Sequence, residues 1–206
     1  MKIEKLEPSK HRKGRILVFL EDGSLLKVTE RELLDFDLRS GGMLDDEALA
    51  RLQESACCSD AKAEAAALIG RRAMSRADLE KKLGEKGASA QDARYAAEWL
   101  EAIGALNDAD YAALLVRHCA GLGYGPARYR DELRRHGLDR ELWDDAIAQA
   151  PDPEELVERY LCDRFKGGVP DEKERKRAVG ALARRGFSWN DVKQALSGYS
   201  EDHFDD

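Results

Sequence analysis

The sequence predicts a mainly α fold: three tandem three-helix repeats in a curved array, preceded by a small module made of a β-hairpin and helices. Three observations predict it. Strand-forming runs are confined to the N-terminal stretch before Glu30. A Leu-x3-Gly-apolar core recurs as Leu83, Gly87, Ala88, then Leu133, Gly137, Leu138, then Leu182, Gly186, Phe187, with glycines 50 and 49 residues apart. The chain of 206 residues is 36% charged and only 7% aromatic, so its apolar content is mostly Ala and Leu spread through charged sequence, a composition that favours many small helices.

The N-terminal module is read first. Arg15 to Leu20 and Leu25 to Thr29 are short β-prone runs on either side of Asp22-Gly23, a type I′ turn signal, and form a hairpin. Lys2 to Leu6 alternates charged and apolar residues and is suited to a third strand. Thr29 followed three residues later by Glu32 has capping-box spacing and opens a helix over Arg31 to Leu38, which Gly41-Gly42 ends. A short helix follows from Asp45 to about Ser55, and the adjacent Cys57 and Cys58 fall in a linker.

The repeats follow. Six, nine and ten positions after each glycine stand Ala93, Ala96, Ala97; Trp143, Ala146, Ile147; and Val192, Ala195, Leu196, a spacing that puts each set on one helical face. Each glycine suits a helix C-terminus, because it takes positive φ at low cost, and Ser89, Asp139 and Ser188 are positioned to cap the next helix. Upstream helices carry Ala66, Leu68 and Ile69; Tyr111, Leu114 and Leu115; and Leu156, Tyr160 and Leu161. Gly121, Gly123, Gly125 and Pro126 in the second copy, and Gly167, Gly168 and Pro170 in the third, mark bends between first and second helices. The segments are thus 1–60 for the N-terminal module, 61–108, 109–150 and 151–200 for the repeats, and 201–206 for an acidic tail. Units that touch in sequence order stack into an elongated, curved array.

Catalytic signatures are missing from the sequence: there is no GxxxxGK[ST], no GxGxxG after a strand and no GxSxG. Gly121-Leu122-Gly123-Tyr124-Gly125 has no strand before it and reads as a helix bend, and Asn107 or Asp108 reads as a helix cap. The four cysteines show no CxxC spacing and His11, His118, His136 and His203 no HExxH, so neither a metal nor a cofactor is expected. Cys119 and Cys162 read as small buried residues within helices. No run is long and apolar enough to span a membrane, and Met1 to Arg15 is too polar for a secretory signal, which predicts a soluble cytoplasmic protein, expected to be a monomer.

Net charge is −7 and no segment is basic overall, so attraction to nucleic acid must come from local patches. The middle helix of every repeat collects cations: Arg71, Arg72, Arg76, Lys81, Lys82 and Lys86; Arg128, Arg130, Arg134 and Arg135; Lys173, Arg175, Lys176, Arg177, Arg184 and Arg185. Taken singly, each reads as part of a solvated face balanced by Glu and Asp. Their recurrence in three units points to a basic stripe that meets phosphates or an acidic protein surface. Few aromatics accompany them, which argues against base stacking on a single strand.

The ordered set Leu68-Ile69, Arg71-Arg72, Ser75, Leu79, Leu83 and Lys86-Gly87, then Leu106-Asn107-Asp108, Tyr111-Ala112, Gly123, Gly125, Arg128, Glu132-Leu133 and Gly137, resembles the RecX family of bacterial RecA regulators over roughly residues 61–200. The resemblance implies three three-helix repeats that lodge in the groove of the RecA filament on DNA and inhibit filament growth, ATP hydrolysis and strand exchange, without enzymatic activity. It implies RecA as partner and DNA contact that is weak or depends on the filament. The hairpin module is similar to the N-terminal extension of longer members. Ala88 and Ala93 are smaller than the family's branched residues, and Lys166 to Asp171 is a longer insert. The family has no catalytic residues to carry over. A helix-turn-helix DNA binder is the alternative, because paired helices meet at Gly137, but the helices after the glycines carry Glu141, Asp144, Asp145, Asn190 and Asp191 where base-reading residues belong.

Overall fold

In the computed structural model, which describes residues 1–197 except His11, Gly167 and Val169, strands β1 (Ile3–Pro8), β2 (Arg15–Leu20) and β3 (Leu25–Thr29) form an antiparallel sheet in the order β1-β2-β3. The third strand is therefore present, two residues longer than its predicted end at Leu6. The hairpin turn differs from the type I′ prediction: Gly23 takes φ +82° while Asp22 stays at negative φ, and Gly23 N–H closes the turn on Leu20 O at 2.9 Å. Asp22 instead accepts bonds from the Ser24 backbone and hydroxyl.

The Thr29 and Glu32 capping box opens α1 (Glu30–Asp35), which is shorter than predicted. The chain leaves the helix at Phe36 and turns through Asp37 at φ +44°, well before Gly41. Next comes α2 (Asp46–Ile69), a single helix where a short helix, a linker and the upstream helix of the first repeat were expected. Cys57 and Cys58 lie inside it, and the stretch contains neither Gly nor Pro to break it. Ile3, Val18, Leu20 and Val28 of the sheet pack with Leu38, Leu44, Leu52 and Ala56 in one core.

The remaining helices are α3 (Arg76–Glu85), α4 (Ala90–Ala102), α5 (Asp108–Gly121), α6 (Pro126–Arg135), a 3-10 turn (Arg140–Leu142) running into α7 (Trp143–Ile147), α8 (Pro153–Phe165), α9 (Glu172–Arg185) and α10 (Trp189–Ser197). The predicted register holds. Leu83, Leu133 and Leu182 are each at most 1% exposed, and Gly87, Gly137 and Gly186 take φ of +94°, +65° and +90°. Ala96, Ala146 and Ala195 are buried on the following helices. Ser89 caps α4 and the Ser188 hydroxyl receives Asp191 N–H, whereas Asp139 makes no side-chain cap bond and its helix starts as a 3-10 turn. On the first helices, Ala66 and Leu114 are exposed, and Ala65, Leu68, Ala112 and Leu115 take the buried positions. Cys119 is buried but Cys162 is exposed, contrary to expectation.

The chain divides into two compact units, Met1–Ala73 with Leu79–Leu106, and Met74–Asp78 with the chain from Asn107 onward. In the second, repeats two and three share one core built around Tyr129, Leu133, Leu161 and Leu182. The predicted 201–206 tail and Gly167 of the predicted bend lie outside the described residues. Among the described residues no helix is long and apolar enough to cross a membrane.

Candidate functional site

Middle helices α3, α6 and α9 are built alike. Each buries an i, i+4 pair, Leu79 and Leu83, Tyr129 and Leu133, Ala178 and Leu182, and carries most of its charged residues on the rest of its circumference. Gly125 and Pro126 start α6, where a proline at the first helical position loses no hydrogen bond, and Asp171 with Glu174 starts α9 through a capping box.

The predicted cations sit as follows. In the first unit Arg71 and Arg72 are exposed in the turn between α2 and α3, off the middle helix, and Lys81 is exposed with Lys82 half-buried on α3 itself. Lys86 lies past the end of α3 and pairs with Glu64 at 2.9 Å, a contact that holds the Glu64 carboxyl below its ordinary value. In the second unit Arg76 is half-buried, with its backbone N–H on Asp108 Oδ1 at 2.8 Å. Burial pushes the Asp108 carboxyl up despite that bond.

On α6, Arg130, Arg134 and Arg135 are exposed and Arg128 is half-buried. Arg134 pairs with Asp131 at 3.0 Å and Arg135 with Glu132 at 3.2 Å. On α9, Lys176 pairs with Glu172 at 2.6 Å, Arg177 and Arg184 are exposed, and half-buried Arg175 donates to Pro170 O. Arg185 is half-buried with its guanidinium 4.6 Å from the Tyr160 ring centre. Several of these cations are thus held by a carboxylate one helical turn away, in pairs that are screened and individually weak.

Sequence reasoning missed how the middle helices meet inside the second unit. At the α6 to α9 contact, Gly125 N–H donates to Arg185 O at 2.8 Å and Ala127 N–H to Gly186 O at 3.1 Å. The C-terminal carbonyls of α9 thereby satisfy the free N–H groups at the start of α6, a tail-to-head arrangement that also aligns the two helix dipoles favourably. A Cβ on Gly125 would lie 2.7 Å from Gly186 O, and one on Gly186 2.7 Å from Arg128 N, so only glycine permits this approach.

The start of α3 meets the end of α6 in the same sense. Ser75 Oγ donates to His136 O at 2.5 Å and accepts from Asp78 N–H at 3.1 Å, while Asp78 Oδ2 lies 2.6 Å from His136 Nδ1. The ring of Tyr111 stands edge-on to His136 at 5.7 Å. The signal for both joints was present in the sequence, since Ser75 and Gly125 are 50 residues apart and His136 and Arg185 are 49 apart. Extending the repeat comparison beyond the Leu and Gly positions would have found it.

A second unpredicted cluster lies in the first unit. Arg15, 7% exposed, donates to Ser59 Oγ at 2.6 Å and pairs with Asp60 at 3.0 Å, with Glu32 Oε2 at 3.9 Å. Glu32 accepts from Thr29 N–H and from the hydroxyls of Thr29, Ser55 and Ser59. Burial alone would raise its carboxyl, but these donors outweigh burial and hold it below its ordinary value. The cluster ties the hairpin to α2. An open groove of about 1230 Å³ runs beside it, lined by both signs of charge, including Arg31, Glu54, Lys62 and Glu98. Lys62 stacks on Tyr95 at 4.3 Å there. Among the described residues no group of three or more His, Cys, Asp or Glu is placed to hold a metal ion.

Comparison with known proteins places these features in a family. Residues 107–147 match the second three-helix domain of RecX and residues 154–196 the third. The chain is 37% identical over 133 residues to a regulatory protein RecX of Xanthomonas oryzae, an alignment covering 62% of this chain and 81% of that one. It is 35% identical over 133 residues to the Pseudomonas entomophila regulatory protein RecX, covering 64% of this chain and 86% of that one. A crystal structure of regulatory protein RecX superposes with TM-score 0.73 at 26% identity, over 95% of this chain and 98% of the other. RecX from Lactobacillus salivarius, at 19% identity and TM-score 0.61 over 69% of this chain and 96% of that one, shares the fold. Repeated glycine-ended helix pairs, the joints between them and these likenesses along most of the chain lead to one conclusion: the chain belongs to the RecX family of regulatory proteins.

Proposed function

We propose that the chain regulates RecA by binding the RecA filament on DNA, where it inhibits filament growth, ATP hydrolysis and strand exchange as a binding protein rather than an enzyme. The observation that carries this reading is the match to curated regulatory proteins RecX across four-fifths of their length, together with a structural likeness along 95% of this chain. The cations of α6 and α9, with those around α3, provide the electrostatic attachment, and a chain of net charge −7 has little general attraction for naked DNA. It acts as a cytoplasmic monomer. The exposed acids Glu141, Asp144 and Asp145 beyond Gly137 argue against insertion of that helix into a DNA groove. The test is a titration of the chain into RecA hydrolysing ATP on single-stranded DNA. Hydrolysis should fall with dose, and an unchanged rate at saturating chain would overturn the proposal.

A further inference from the structure

We infer that the joint between α6 and α9 is a binding site for phosphate-type oxyanions, in which Arg128 and Arg185 together hold a phosphodiester of the nucleic acid. The inference deepens the reading above and rests on the phosphate contact assigned there to the basic helices.

The argument comes from comparing two joints made on the same plan. In the first, Tyr111, His136 and Asp78 come together, and the imidazole meets a carboxylate at 2.6 Å. One repeat further on, the equivalent positions are Tyr160, Arg185 and Arg128, offset by 49, 49 and 50 residues. The tyrosine keeps its place, now under the Arg185 guanidinium. The carboxylate is replaced by a second guanidinium. The first joint sets an imidazole against a carboxylate, and the second brings two guanidiniums to the same positions.

Among the described residues nothing answers that charge. Among the described residues neither Arg128 nor Arg185 meets a carboxylate at ion-pair distance, and Asp131 and Glu132 of α6 pair with Arg134 and Arg135. Arg128 Nε is buried with no hydrogen-bond partner among the described residues. A donor without a partner calls for an explanation, and an anion drawn to the two guanidiniums supplies one. Both guanidiniums flank the turn at Gly123 and Tyr124. Arg128 stacks on the Tyr124 ring at 5.4 Å, and Arg185 Nη1 lies 3.9 Å from where a Cβ on Gly123 would stand.

The stacking holds both side chains in place before a ligand arrives, and planar guanidinium forks match the several oxygens of a phosphate. Backbone N–H groups contribute little, since those of Gly125 and Ala127 are already taken by Arg185 O and Gly186 O. The site is therefore a guanidinium site, and one substitution closes it: Arg128→Asp places a carboxylate beside Arg185, as Asp78 stands beside His136.

The test follows backbone amide resonances of the full chain during titration with hexathymidylate, inorganic phosphate and hexaglutamate at matched ionic strength. Hexathymidylate should shift the amides of residues 123–128 and 185–187, and inorganic phosphate should shift the same set more weakly. Arg128→Asp should weaken hexathymidylate binding at least tenfold while the spectrum away from the joint is unchanged. Should that variant fail to fold, Arg185→Gln takes its place with the same expected loss. Three results would overturn the inference: shifts confined to other residues, unchanged affinity in the folded variant, or hexaglutamate binding at the joint as tightly as hexathymidylate. RecA is not in the tube, so failure here leaves the regulatory reading standing. Lost ATPase inhibition beside normal oligonucleotide binding would strike that reading instead.

Discussion

Leu133 is fully buried where three repeats place the same side chain, with Leu83 and Leu182 as its equivalents. Leu133→Ala should cost about 2–5 kcal/mol, the range for truncating a leucine inside a packed core, and chemical denaturation measures it. A loss under about 0.5 kcal/mol, typical of surface changes, would contradict the core described here. Glu32 gives a prediction of a different kind. Its carboxylate is favoured in the folded chain by four donors, so its folded pKa lies below the ordinary value of 4.5. A carboxyl lowered on folding contributes stability that is complete above the unfolded pKa and lost as pH falls through the folded one. Stability should therefore drop as pH goes below about 4.5, and Glu32→Gln should flatten that part of the curve. At neutral pH the same variant should be less stable by about 1.5–3 kcal/mol, the range for hydrogen bonds to a charged group. Thermal melts across pH for both proteins decide this, and parallel acid limbs would contradict the role given to Glu32.

At the scale of the element, the middle helices depend on their glycine ends to different degrees. Gly87 and Gly186 share a positive φ, yet a Cβ on Gly87 meets nothing within 4 Å while one on Gly186 collides with the Arg128 backbone. Gly87→Ala should cost only the left-handed strain, about 1 kcal/mol, and Gly186→Ala clearly more, because the α6 to α9 hydrogen bonds must also give way. Equal losses in denaturant would mean that the joint is looser than its geometry. Strands β2 and β3 and the repeat register were legible in the sequence because both are written in local pattern: β-prone runs around Asp22-Gly23, and core leucines that every copy must bury. The continuity of α2 was not. Ala56 to Ala61 contains no breaker, and reading Cys57 and Cys58 as a linker overrode a helix-compatible composition. The joints were hidden for another reason. Ser75 with His136 and Gly125 with Arg185 meet only through tertiary packing, and no periodicity inside a single repeat announces such contacts.

For the whole molecule, the issue is whether cations dispersed over an acidic chain act together. The exposed side chains of Arg130, Arg134 and Arg135 contribute little to the fold, so reversing all three to Glu should leave circular dichroism unchanged while weakening inhibition of the RecA ATPase. The same is expected for reversal of the exposed Lys176 and Arg177; Arg175, half-buried and bonded to Pro170 O, is reversed with them only if circular dichroism shows the variant folded. Both deficits should shrink as salt rises, because the screening length falls from about 10 Å at 0.1 M to about 3 Å at 1 M. Full inhibition by both folded variants would make these faces merely solvated and move attachment to the apolar and acidic surfaces or to the N-terminal module. The central claim, that the chain binds the RecA filament more tightly than DNA alone, is tested most directly by the anisotropy of labelled chain titrated with RecA filaments on single-stranded DNA and with the same DNA alone, at equal salt. The filament should bind markedly more tightly than the DNA, and equal affinity for the two would contradict the claim.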